Sequence, residues 1–219
     1  MAAGDITDGM VADVRTRVGA QSESGVLTSQ ILAYLNMGIQ DMVQRLNDGA
    51  LPTITATATG TVSAASAPCH ATSVYFALPS DFLRERIVKY VDSQCNRLDI
   101  SRIDMIDHSG SHRAPSATNP WYYIWEDRVY IQSGTQSLVA YTFEYVSVPV
   151  TITTDKDPDI PVVYNDIAVD FAVALCRFQR KEFKEWQRIM GDYEERIRFI
   201  NSRLEGPLSE REPGDIREG

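Results

Sequence analysis

Two hydrophobic periods divide the chain into three stretches. From Asp5 to Val18 the apolar residues Ile6, Met10, Val11, Val14 and Val18 recur at helical spacing, with Asp5 placed to cap the helix and Gly19 to stop it. The polar residues 20–26 follow, and Thr28 or Ser29 then opens a second helix carrying Ile31, Leu32, Leu35, Ile39, Met42, Val43 and Leu46. Asn47-Asp48-Gly49 is a left-handed stop for it, and the short connection predicts an antiparallel helix pair. From Thr53 the period changes to two. The alternating run Thr53–Thr59, then Ser73–Leu78, Glu85–Val91 and the long Ser137–Ser147 read as strands, and Trp121–Trp125 with Arg128–Ile131 as a hairpin around Glu126-Asp127. Residues 60–72 read as a loop, Asp99 as the cap of one helical turn over Ser101–Ile106, and His108–Asn119 as turns.

Helical spacing returns after an acidic corner punctuated by proline: Asp155, Asp157, Pro158, Asp159 and Pro161. A helix over Val162–Phe178 points Tyr164, Ile167, Ala168, Phe171, Leu175 and Phe178 one way. In the last helix Phe183, Trp186, Met190, Tyr193, Ile197, Ile200 and Leu204 form one stripe, while Lys184, Glu185, Arg188, Glu194, Glu195 and Arg198 take the solvent side. Gly206-Pro207 stops that helix, and the charged remainder is expected to be extended. The order predicts an α+β fold: a helical bundle built from N-terminal and C-terminal helix pairs, an inserted β-rich module and an extended C-terminal tail. The expected boundaries are 1–50, 51–154, 155–205 and 206–219.

Composition narrows the class of function. With 219 residues, 43% hydrophobic and 23% charged, the chain is a folded protein with no membrane-length apolar run and no signal peptide at its start. The net charge of −9 disfavours direct nucleic-acid binding, since phosphate recognition calls for a basic surface. The nearest such group, Arg177, Arg180, Lys181 and Lys184, is interrupted by Glu182 and Glu185 and reads as a solvated face. Cys69, Cys95 and Cys176 are too widely spaced for a disulfide framework or a zinc site, which fits synthesis in a reducing cytoplasm.

Candidate chemistry is sparse. Asp99, Asp104, Asp107, His108 and His112 crowd together, but Ser109-Gly110-Ser111 is a poor helix for two metal-binding histidines, and a solvated turn is the favoured reading. The acidic run 155–159 lacks the glycine and distal glutamate of a calcium loop, so its carboxylates are expected at the N-terminus of the helix that follows. Cys176 reads as a small buried hydrophobe. No nucleophile elbow, phosphate loop or dinucleotide fingerprint appears, and the residues ask for no catalytic group, cofactor or metal. On the hairpin, Tyr123, Trp125 and Tyr130 are expected in the core, with Trp121 and Tyr122 exposed as a surface for a partner.

Several short stretches, in order, carry a resemblance. They are Leu27-Thr28-Ser29-Gln30-Ile31-Leu32-Ala33-Tyr34-Leu35-Asn36 after the opening helix, Leu78-Pro79-Ser80-Asp81-Phe82-Leu83, the Trp121-Tyr122-Tyr123 hairpin, and Asp157-Pro158-Asp159-Ile160-Pro161 before Tyr164-Asn165-Asp166-Ile167-Ala168-Val169-Asp170. Together they resemble the head-to-tail adaptor (connector) proteins of tailed bacteriophages, particularly short-tailed ones. The resemblance implies a virion structural protein of the neck, made in the host cytoplasm. It implies a ring of identical subunits, commonly twelve, that docks on the portal, extends the DNA channel without specific DNA binding and presents a platform for tail, nozzle or tail-fibre proteins. It also implies that the C-terminal segment reaches the portal, through Leu204, Leu208, Arg211, Ile216 and Arg217, and that Trp121 and Tyr122 face a tail partner. Three other readings stay open: another neck or tail-completion protein that does not touch the portal, a metal-dependent enzyme using Asp104, Asp107, His108 and His112, and a regulatory helical protein that binds nucleic acid, against which the charge balance speaks.

Overall fold

A computed structural model of the chain describes residues 4–19, 26–64, 73–92, 97–103, 120–132 and 138–205. The fold is α+β, and the chain divides into two compact units, Met1–Ile54 with Pro149–Gly219, and Thr55–Val148.

The first unit holds helices α1 (Asp5–Val18), α2 (Thr28–Arg45), α3 (Asn165–Gln179) and α4 (Phe183–Glu205). The apolar stripes of α1 and α2 are buried as their spacing predicts, with Val14, Ile31, Leu35, Ile39, Met42 and Val43 at 0–1% exposure. They do not form the expected antiparallel pair: α1 and α2 touch each other little, and α1, α2 and α4 each pack along α3. The cause is visible in α3, which buries Ile167, Ala168, Val169, Ala172, Val173, Ala174 and Cys176 and so is apolar over most of its circumference. Small residues let the neighbours come close. A Cβ added to Gly38 of α2 would lie 3.1 Å from the Ala168 carbonyl and from the Phe171 side chain.

Helix ends depart from the local reading. Gly4, at φ 93°, is the N-cap of α1, and Asp5 is the first helical residue. The left-handed Gly19 ends α1 as expected. At the end of α2, however, Leu46 is extended (φ −75°, ψ 142°), and Asp48–Ala50 form a 3-10 turn in place of the expected left-handed stop. The reason lies on α4, where the Asn201 side chain accepts the Asn47 N–H at 2.8 Å and donates to the Arg45 carbonyl at 2.9 Å.

The second unit is two sheets. One orders β1 (Thr55–Thr61), β9 (Leu138–Ser147), β4 (Phe82–Asp92) and β5 (Arg97–Asp99); the other orders β2 (Ser63–Ala64), β3 (Ser73–Ala77), β8 (Arg128–Gln132), β7 (Trp121–Trp125) and β6 (Ser101–Arg102). Their inner faces share a core of Phe76, Val88, Tyr90, Ile100, Tyr122, Val129, Ile131, Phe143 and Tyr145. Aromatic stacking fills it, with the Phe76 and Tyr141 ring centroids 3.7 Å apart. The alternating Thr/Ala run is β1, beginning two residues later than predicted because Pro52–Ile54 make a 3-10 turn. The expected loop from Gly60 is strand at Gly60, Thr61, Ser63 and Ala64. No helical turn starts at Asp99: Ser101 and Arg102 instead pair in parallel with Trp121 and Tyr122, and the Ile103 N–H donates to the Tyr122 carbonyl at 2.9 Å.

Candidate interaction surfaces

The acidic corner does its work on a different helix from the one expected. Asp157 lies at the N-terminus of α1, where its carboxylate accepts the Thr7 N–H at 2.9 Å, and the Thr7 hydroxyl donates to the Lys156 carbonyl at 3.0 Å. The amide of Thr7 first, with those of Gly4 and Ile6, holds the Asp157 carboxyl below its ordinary value. This is N-capping by a residue 150 positions away. Asp159 accepts the Val150 N–H instead, at 3.1 Å. The other end of α1 is met by the α3–α4 corner, where Arg177 donates to the Arg17 carbonyl at 2.7 Å and Arg180 to the Val18 carbonyl at 2.8 Å. A carboxylate at the N-terminus and guanidiniums at the C-terminus both suit the helix dipole.

On α4 the predicted stripe is only partly used inside the unit. Tyr193 and Ile197 are buried, Trp186, Met190 and Ile200 are half-buried, and Phe183 is 51% exposed. The Tyr193 hydroxyl donates to Asp41 at 2.7 Å, and burial followed by that bond raises its pKa. Asp170 of α3 receives Arg17 at 2.7 Å and Arg196 at 2.6 Å, yet burial still raises its carboxyl above the usual value against both cations. Phe178, 49% exposed, stacks at the corner on Phe183 and Trp186 with centroids 5.5 and 5.3 Å away. The Phe178 side of α3 is therefore open, where the sequence placed it with the core face.

On the hairpin three of the expected exposures are reversed. Trp121 and Tyr122 are 6% and 4% exposed and Trp125 is 51% exposed, which corrects the placement of the first two at the surface and the third in the core. Tyr122 points to the inter-sheet core, and burial pushes its hydroxyl pKa up to about 12. The face turned to the inter-sheet core carries Tyr122 and Ile124, one register off from the one assumed, while Trp121 and Tyr123 are buried on the opposite face. Tyr123 is buried against Tyr130 at 5.1 Å.

Among the described residues no group of His, Cys, Asp and Glu could hold a metal ion, and no helix is long and apolar enough to cross a membrane. Asp104, Asp107, His108 and His112 lie outside the described residues, as do Leu208, Arg211, Ile216 and Arg217 of the expected docking tail. Cys176 is buried as predicted, and burial raises its thiol pKa.

Among the described residues the four-helix unit leaves Val162, Val163, Phe178 and Phe183 exposed. Residues 7–210 match the SU10 adaptor protein family, so the chain belongs to that family of phage adaptors. Comparison with curated proteins gives no match. The family makes the chain a phage structural adaptor, implies association with other phage neck proteins and suggests a place in the virion neck.

Proposed function

We propose that the chain is a head-to-tail adaptor that forms a homo-oligomeric ring on the portal, extends the DNA channel and offers a platform to tail proteins. The observation that carries this reading is the family match over residues 7–210. The surface of the first unit agrees with it, since α4 buries only the middle of its stripe and leaves the Phe178 corner open. A permanent subunit contact buries more than ~2,000 Å² with an apolar centre, and surfaces of this kind supply one. Head-to-tail contacts between identical copies close into a ring when the rotation per copy allows it. The net charge of −9 suits a wall past which DNA slides without adhering.

In the same reading the segment from Leu204 to Gly219, with Leu208, Arg211, Ile216 and Arg217, docks on the portal. Purified portal mixed with the chain should show a new ring of density by electron microscopy, and truncation after Leu204 should weaken binding while leaving circular dichroism unchanged. Absence of any ring on the portal would sink the proposal. Undiminished binding by the truncated chain would remove the docking role of the tail alone.

A further inference from the structure

Two apolar patches stand at opposite ends of α3. At its C-terminal end Phe178 and Phe183, 49% and 51% exposed, pack edge-to-face on each other, and Phe178 also meets the tilted Trp186 ring, to make an aromatic knuckle. At its N-terminal end Val162 and Val163 are 67% and 74% exposed on a 3-10 turn. Single exposed apolar residues are ordinary, but adjacent ones held in fixed geometry mark a contact site. The knuckle is held so. Lys181 sits at φ 63°, its N–H donates to the Phe178 carbonyl at 2.9 Å, and Arg177 pairs with Glu182 at 2.6 Å. A preorganised corner loses little entropy on binding.

The two patches carry opposite charge. Residues 177–185 hold Arg177, Arg180, Lys181 and Lys184 against Glu182 and Glu185, a net +2 in a chain of net −9. Residues 155–166 sum to −3 in sequence, with Asp157 and Asp159 engaged by the Thr7 and Val150 N–H groups. Lys181 and Lys184 are exposed beside the knuckle, and Asp166, its side chain 69% exposed and 3.7 Å from Arg17, follows the valines. A ring contact is heterologous and needs two different surfaces on one subunit that complement each other. These two do so in apolarity and in sign.

We propose that the aromatic knuckle of one subunit seats on the valine pair of the next copy, with Lys181 and Lys184 facing Asp166 across the contact. The assignment rests on the ring reading and specifies which residues close it. DNA is the competing occupant of a basic aromatic corner, but it leaves the acidic valine patch without a counterpart.

Cysteine cross-linking tests the contact directly. Val163→Cys and Phe183→Cys are placed together in a chain with Cys69 and Cys95 changed to serine, assembled on portal. The 15 residues of α3 separate its ends by ~22 Å, far beyond the ~7 Å limit between disulfide-bonded Cα atoms, so any cross-link must join two copies. Oxidation should give a ladder of covalent oligomers with both cysteines and only monomer with either alone. In parallel, Lys184→Glu should raise the assembly midpoint concentration at least about tenfold, and adding Asp166→Lys should restore it, a rescue that damage to folding does not give. Rings that form by native mass spectrometry without a ladder would overturn the proposal and leave the ring reading standing. Failure to form any ring would end both. Normal assembly with weakened DNA retention in Phe178→Ser would assign the knuckle to DNA and overturn it as well.

Discussion

The hydroxyl of Tyr193 gives the sharpest test of how α4 is held. Tyr193 has no exposed surface, its ring lies 5.3 Å from Phe171, and its hydroxyl donates to Asp41, which also receives Arg45 at 2.9 Å. Tyr193→Phe keeps the packing and removes one donor from a carboxylate. A hydrogen bond to a charged group contributes roughly 1.5–3 kcal/mol. The Asp41 side chain is 27% exposed, so water replaces part of the loss and the low end applies, about 1.5 kcal/mol. At a urea m-value of ~2 kcal/mol/M that moves the midpoint down by ~0.7 M. The transition is followed by helical circular dichroism, because the α-helices belong to the first unit. A double-mutant cycle with Asp41→Asn should return a coupling of about 1 kcal/mol. The pH dependence has a definite sign. Burial and the Asp41 bond raise the folded pKa above the ordinary 10.0, so the contribution is complete below pH 10 and is lost as pH rises beyond it and the unfolded chain ionises. Tyr193→Phe should lose less stability than the native chain between pH 9 and 11. A variant within ~0.3 kcal/mol of the native chain, with additive behaviour against Asp41→Asn, would refute the assignment.

Three further substitutions probe the first unit. Gly4→Ala places a Cβ 2.1 Å from the Thr154 carbonyl at a backbone φ of 93°, and should cost roughly 2 kcal/mol or more by urea unfolding. Gly38→Ala crowds the α2–α3 approach, where Ala168 and Phe171 stand 3.1 Å from the new Cβ, and should cost about 1–2 kcal/mol by the same measurement. Asp157→Asn should lower stability at pH 7. Because the folded pKa of Asp157 is depressed below 3.8, its contribution is present above that pH and lost as pH falls through the folded value, so the gap between variant and native chain should close on acidification.

What the sequence made legible was periodic and local. The helical stripes of α1, α2 and α4 and the alternation of β1, β3, β8 and β9 lie in windows of a few turns or residues, and the structure has those elements within one to three residues of their expected ends. The centrality of α3 was missed although its signal was present. Val169, Ala172, Val173 and Cys176 form a second apolar face beside the stripe of Ile167, Phe171 and Leu175, and a helix apolar on most sides belongs in the middle of a bundle. Reading only the largest residues instead gave a one-sided helix and put Phe178 with the core. The hairpin failed for a related reason: β7 is buried on both faces at its start, where Trp121, Tyr122 and Tyr123 follow one another, and strict alternation predicts only one covered face.

Gly19 apart, the groups that cap α1 and the end of α2 were illegible for a deeper reason. Capping rules look three or four residues along the chain, yet here the orphan groups of the N-terminal helices are met by the C-terminal half. Asp157 serves the N-terminus of α1, Arg177 and Arg180 its last carbonyls, and Asn201 the end of α2. Asn36 of α2 pairs with the backbone of Ile152 in both directions, accepting its N–H at 2.8 Å and donating to its carbonyl at 3.1 Å. Each of these bonds spans 116–162 residues of sequence, with the whole second unit lying between the partners. The N-terminal helices therefore leave backbone groups unmet until the chain beyond Val148 arrives. Their stability is tied to that later segment more strongly than amphipathic spacing alone implies.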